Sequence, residues 1–219
     1  PDDAVGAAVT SKLSVGIVSA YQLYGDGSNL TGLAGFSQDD QGNLVAGDGA
    51  GAAKDSDTCF NIMLGCNSGK ALNEGGSNIL LGCNSGCSLT SGGCNVFLGQ
   101  YAGKSAVGAR RNVVIGCNSG RNITSGDENI IIGSNVGTGH STGSHNIAIG
   151  NQAGNGNSGG HSYQVAIGQG AGKNMTESSV AIGRIAGSYN TGNFNTFIGA
   201  KSAAGCTSIN APQQFGNTQ

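Results

Sequence analysis

Seven cysteines are the side chains in this sequence best equipped for chemistry: Cys59, Cys66, Cys83, Cys87, Cys94, Cys117 and Cys206. Three of them stand in one phrase, Cys-Asn-Ser-Gly, at Cys66, Cys83 and Cys117. Thiolates at such spacing could ligate zinc, join as disulfides or sit as small buried thiols. Zinc needs ligands converging tetrahedrally, and no C-x-x-C pair is present. Buried thiols at a turn are the expected use, with disulfides between neighbouring repeats or chains as the alternative. An odd count leaves at least one cysteine without a partner in its own chain. The histidines, His140, His145 and His161, lack H-x-H or H-x-x-x-H spacing and read as solvated loop residues. Arg110, Arg111 and Arg121 are a basic cluster that could meet an anionic glycan or a lipid-borne phosphate. With no aromatic interleaving and no wider basic face, they do not support nucleic-acid binding. Turns such as Gly47-Asp48-Gly49 lack the G-G-x-G-x-D nonapeptide period of calcium-binding rolls. No Ser/His/Asp order with elbow glycines, no phosphate loop and no carboxylate pair can be found, so the expectation is a protein that is not an enzyme and needs no cofactor.

The elements that carry these residues are written in the composition. Of 219 residues, 42 are Gly and 23 are Asn, while charged residues make up 10 %. An ordinary globular domain has about 7 % Gly and about 25 % charged residues. Disorder fits poorly, because hydrophobic residues reach 37 % and Pro only 2 residues. Collagen is excluded by the absence of a Gly-X-Y period. The net charge is -2 and uneven: residues 1 to 60 hold eight acids against Lys12 and Lys54, and the remainder holds eight bases against four acids. Such asymmetry suits a solvated surface or head-to-tail docking of modules. No run of 18 apolar residues exists, so no membrane insertion by a helix is expected. Because the chain begins at Pro1 without an initiator Met, a processed product or a piece of a longer protein is expected.

Self-comparison explains the excess of Gly and Asn. A phrase of Asn, apolar, any, apolar, Gly recurs ten times, from NLVAG at Asn43 to NTFIG at Asn195, with Gln164 and Ser179 replacing Asn in two copies. The glycines that close it, from Gly47 through Gly65 and Gly82 to Gly199, follow one another at nearly constant spacing. Val and Ile dominate the apolar positions, which predicts a short β-strand. The fold expected is all-β: a parallel β-solenoid, or β-roll, of about ten coils of about 15–18 residues, each with two short strands and two turns. Gly65, Gly82, Gly99, Gly116, Gly133, Gly150, Gly168, Gly183 and Gly199 are expected at corners where a side chain would clash. An apolar residue such as Leu72, Leu89, Ile123 or Met175 is expected to begin the return strand.

Period-2 geometry places the second and fourth residues of the phrase on one face and the third on the other. The solenoid core is expected from Ile62, Leu64, Ile79, Leu81, Val96, Leu98, Val113, Ile115, Ile130, Ile132, Ile147 and Ile149. The third position, Met63, Leu80, Phe97, Val114, Ile131 and Phe197, with Ala148, Ala166 and Ala181 between, is then expected to point outward. A contiguous apolar stripe in water is a liability, so these residues are expected to pack between chains. Rotational symmetry is the economical way to bury such a stripe, and a homotrimer is the favoured assembly.

The phrases NIAIGNQAG (Asn146 to Gly154), QVAIGQGAG (Gln164 to Gly172) and SVAIGRIAG (Ser179 to Gly187) resemble the head repeats of trimeric autotransporter adhesins. Those heads are left-handed parallel β-rolls that wrap as trimers, and the same repeat occurs in phage tail fibres. The period here is two or three residues longer than the shortest family repeats, so loop details are not implied. Residues 1–35 form a separate segment in which LSVGIVSAYQLY (Leu13 to Tyr24) runs into YGDGSNLTG (Tyr24 to Gly32). That phrase is similar to one found in fibre and virion proteins of marine phages, especially those of cyanobacteria. The resemblance implies an N-terminal connector at 1–35, a solenoid at 36–205 and a tail or link at 206–219. It also implies a structural subunit of an extracellular virion fibre, with two further copies of itself, other fibre or virion proteins at its ends, and a host-surface glycan as partners. The alternatives are a cell-surface adhesin head and an ice-binding solenoid. The latter would need a regular Thr ladder, whereas Thr90, Thr124, Thr142 and Thr191 fall in loops of varying length.

Overall fold

The computed structural model describes residues 38–137, 141–156, 160–190 and 192–204, and the backbone of Gln214–Phe215. The expected N-terminal segment and most of the expected C-terminal one lie outside the described residues. Every repeat phrase forms one three-residue strand. In chain order these are β1 (Leu44–Ala46), β2 (Ile62–Leu64), β3 (Ile79–Leu81), β4 (Val96–Leu98), β5 (Val113–Ile115), β6 (Ile130–Ile132), β7 (Ile147–Ile149), β8 (Val165–Ile167), β9 (Val180–Ile182) and β10 (Thr196–Ile198), with the two residues Gln214–Phe215 as β11. They form a single parallel sheet in which each strand pairs with the next in sequence. The register is that of the repeat: Ile62 faces Ile79, which faces Val96 and then Val113. The chain is thus a parallel β-solenoid, and the described residues contain no helix.

Only one strand forms per coil, not two. The return half is a succession of turns, because it carries left-handed backbone at closely spaced places: Asn67 (φ 53°), Gly69 (φ 56°) and Ser77 (φ 59°) in one coil, and Asn84, Gly86 and Cys94 in the next. An extended run cannot pass through such residues, and Asn and Gly are the types that adopt them at least cost. The turns still bond coil to coil. Gly69 donates its N–H to Ser85 O at 3.0 Å, Gly86 to Ala102 O at 2.9 Å and Ser77 to Cys59 O at 3.1 Å. Backbone groups in the return half are satisfied by a ladder without being a strand.

The expected faces of the strand are reversed. Met63, Leu80, Phe97, Val114, Ile131 and Phe197 are fully buried inside their own chain, with Ala148, Ala166 and Ala181 filling the same column. They therefore cannot be the surface between chains. Ile62, Leu64, Ile79, Leu81, Val96, Leu98, Val113, Ile115, Ile132, Ile147 and Ile149 are only partly buried, Ile130 is exposed, and all of them are on the outer face. The reason is the residue that opens the phrase. Asn61, Asn78, Asn95, Asn112 and Asn129 turn inward and are buried, and period-2 alternation from an inward Asn sends the second and fourth residues out and the third in.

These asparagines form a continuous polar ladder. Asn95 Oδ1 accepts the backbone N–H of Asn112 at 3.0 Å and its Nδ2 at 3.2 Å. Asn95 Nδ2 donates to Asn78 Oδ1 at 2.9 Å and to the Ala109 carbonyl at 2.8 Å. Each amide thus ties its strand to the preceding coil and to the return turn of the following one. Leu72, Leu89, Ala106, Ile123 and Met175, buried in the turns, complete the core. Ser68, Ser85 and Ser119 are also buried, and their hydroxyls donate to the mid-strand carbonyls of Leu80, Phe97 and Ile131 at 2.7, 2.9 and 3.2 Å.

The corner after each strand requires glycine. Gly82 has φ +127°, and a Cβ there would lie 2.7 Å from the carbonyl carbon and oxygen of Gly99 on the next coil. The same column continues through Gly65, Gly99, Gly116, Gly133, Gly150, Gly168 and Gly183 to Gly199, all with positive φ.

Candidate functional site

Because coils stack in register, equivalent residues of successive coils become neighbours, and the surface is a set of columns. The first is the outer face of the sheet. Its two rows, Ile62 to Thr196 and Leu64 to Ile198, are almost wholly aliphatic, and Ile130, Ile182 and Ile198 are 39, 37 and 54 % exposed. Nothing in the described chain covers this face.

A second column is the residue before the inward Asn. It has left-handed backbone at Phe60, Ser77, Cys94, Arg111, Glu128, His145 and Tyr163. Phe60, Tyr163 and Phe194 stand 69, 62 and 68 % exposed. Four successive members interact along the column: Arg111 Nε meets Glu128 Oε1 at 2.7 Å, and His145 Nε2 meets Glu128 Oε2 at 2.8 Å. The His145 ring then stacks on Tyr163 with centroids 4.9 Å apart. The Arg111 guanidinium is thereby occupied by Glu128, and the backbone N–H of the neighbouring Arg110 donates to Asp127 Oδ1 at 2.7 Å. His140 lies outside the described residues, and the His161 carbonyl accepts from Asn146 Nδ2 at 2.9 Å.

Arg121 parts from Arg110 and Arg111. It follows the second glycine of its coil, in the column of Lys70, Cys87, Lys104 and Lys173. Its guanidinium lies 5.5 Å from the ring centre of Tyr101, and Lys104 Nζ lies 5.2 Å from the same centre. A groove of about 300 Å³ is lined here by Lys104, Ser105, Asn118, Arg121, Asn122 and Asn135. Lys104 does not stand out in the sequence as a partner of Arg121, although the period of the repeat contains the signal once the turn is known.

The cysteines are a weaker chemical candidate. Cys66, Cys94 and Cys117 are exposed, Cys59, Cys83 and Cys87 are half-buried, and all six are free thiols; Cys206 lies outside the described residues. Desolvation, followed by the charge and hydrogen bond of Cys83 on the next coil, holds the Cys66 thiol above its ordinary pKa, so it is a poorer nucleophile at neutral pH. Among the described residues no group of three His, Cys, Asp or Glu side chains could hold a metal ion. Thr90 and Thr124 do not form an outward ladder, since their hydroxyls donate to Val107 O and Ser141 O and share their column with Val107. No helix among the described residues is long and apolar enough to cross a membrane.

The chain matches no family model, no curated protein and no solved structure.

Proposed function

We propose that this chain is a structural segment of a homotrimeric extracellular fibre, a phage tail fibre or similar virion appendage, extending toward a host surface. One observation carries the reading: the outer sheet face is almost wholly aliphatic over ten consecutive rungs and is not covered by the described chain. With rungs about 4.8 Å apart and three residues spanning about 10 Å, the stripe measures roughly 400 Å². That is within the range of the largest patches on soluble monomers, about 300–600 Å², which are commonly contact surfaces. A second copy is the natural cover, because chains related by rotation about the stacking direction present the same rungs at the same height. The stripe is then the apolar spine of an interface whose rim is polar. Ladders of backbone and Asn bonds leave few free groups and give a stiff, extended module, and repeated chains would multiply weak contacts through avidity. The coil phrases resembling adhesin heads and the Tyr24 to Gly32 phrase resembling virion proteins favour the fibre setting.

Sedimentation equilibrium tests the assembly: a mass three times the 21.5 kDa of one chain is expected. Lys substitution at Leu81, Leu98 and Ile115 together should yield single folded chains. A one-chain mass for the parent protein would refute the trimer. Immunogold labelling should mark an appendage of a virus particle, and label confined to a bacterial envelope would refute the virion setting.

A further inference from the structure

We propose that the groove beside Tyr101 binds an acidic sugar residue, its acid group between Lys104 and Arg121. Every lining residue comes from one chain, so the site does not require the assembly proposed above. Lys104 and Arg121 occupy the same position on adjacent coils, where like charges repel. Neither has an ion-pair partner among the described residues. Both cations instead rest against one aromatic ring, at 5.2 and 5.5 Å, which holds them together without neutralising them. Two positive groups on one ring, unpaired and facing a shared groove, are satisfied by an oxyanion that bridges them.

The rest of the lining selects what carries that anion. Ser105, Asn118, Asn122 and Asn135 give the wall hydroxyl and amide groups and no apolar side chain. Amides accept from and donate to vicinal hydroxyls, which a sugar ring supplies and an alkyl acid does not. A volume of about 300 Å³ is at the small end of ligand sites, suited to one ring and not to an extended polymer. A nucleobase would need a bare aromatic face for stacking, and the Tyr101 ring is engaged by the two cations. Arg121 thus binds the acid directly, and Tyr101 is a positioning residue.

Isothermal titration with four probes tests the assignment: methyl galactoside 6-sulfate, methyl galacturonide, neutral methyl galactoside and inorganic sulfate. Both acidic sugars are expected to bind, and the neutral sugar and free sulfate at least tenfold more weakly. Lys104→Gln with Arg121→Gln should weaken the acidic sugars at least tenfold with an unchanged circular dichroism spectrum. Tyr101→Leu should weaken them severalfold, and Lys70→Gln with Lys173→Gln on the same column should have no effect. Preference for the sulfated over the carboxylated sugar, or the reverse, names the acid and supports the site. Equal binding of neutral and acidic sugars, equal binding of free sulfate, or an equal loss in the Lys70/Lys173 variant would each overturn it. If the Lys104/Arg121 variant unfolds, ligand-induced shifts at the Asn118 and Asn135 side-chain amides of the parent protein decide: their absence at saturating acidic sugar refutes the site.

Discussion

Truncating Asn95 to Ala should cost this fold about as much as deleting a large core side chain, even though no apolar contact of consequence is removed. Asn95 is fully buried. Without its amide, Asn112 loses the acceptor for its backbone N–H, and the Ala109 carbonyl loses its donor. Asn78 Oδ1 keeps one bond, from the Asn95 backbone N–H at 3.0 Å, and Asn112 Nδ2 keeps the carbonyls of Arg110 and Gly126. Two orphaned buried groups at about 1–3 kcal/mol each give a loss of about 2–6 kcal/mol. The chain contains its own control at Ser179, whose hydroxyl accepts the Asn195 N–H at 3.1 Å and donates to Glu177 O. Asn95→Ser restores the acceptor for Asn112 and leaves only the Ala109 carbonyl unpaired, so about 1–3 kcal/mol is expected. Asn95→Asp keeps the acceptor but turns a carboxylate oxygen toward Asn78 Oδ1 and Ala109 O. Its folded pKa is therefore raised, and its deficit should shrink as pH falls through that value. Urea unfolding at fixed protein concentration, with hydrogen exchange at the Asn112 amide, measures all three, since assembly would add a concentration-dependent term. An Asn95→Ala protein within about 0.5 kcal/mol of the parent, the range of ordinary surface changes, would refute the ladder as a stabilising element.

The corner column predicts a gradient along the sheet. Gly82→Ala meets the Gly99 carbonyl at 2.7 Å, whereas Gly199 has nothing within 4 Å among the described residues, so Gly199→Ala should bear the backbone cost of about 1–3 kcal/mol and Gly82→Ala clearly more, by thermal unfolding. Phe97→Ala should lose about 3–5 kcal/mol from the buried column, while Leu98→Ala on the outer face should change the stability of a single chain by under about 1 kcal/mol; equal losses would restore the opposite face assignment. Burial pushes the Asp39 carboxyl up, but bonds from the Asn43 backbone and side chain, with Lys54, outweigh it and hold the pKa below the ordinary value. A depressed folded pKa contributes stability above the unfolded value of about 3.9 that is lost as pH falls through the folded one, so the protection of the Asn43 amide against hydrogen exchange, taken relative to its intrinsic rate at each pH, should fall below about pH 4, and Asp39→Asn should remove that dependence.

The ten strands, their order and the glycine corners are legible in the recurring Asn-to-Gly phrase, because a chain that returns to the same chemistry after each turn has one economical way to pair its strands. The return half reads as a second strand in the sequence because Leu72, Leu89 and Ile123 are apolar at regular spacing. Asn67, Gly69 and Ser77 bend that half out of extension, yet Ser77, unlike Asn and Gly, does not announce such backbone on its own. The arginine cluster dissolves for a topological reason: Arg111 and Arg121 are near in sequence but belong to different columns, and Arg121's neighbour is Lys104, one coil back.

Both sides of each strand are apolar, so a period of two determines that Met63 opposes Ile62 and Leu64 without saying which side is inside. Sequence by itself determined the solenoid, its period and the presence of one apolar face too many. The inward turn of Asn61 and its successors, whose amide oxygens find their partners on the neighbouring coil, decided the rest. That choice lies in hydrogen bonds between residues of different coils, and these exist only once the coils are stacked.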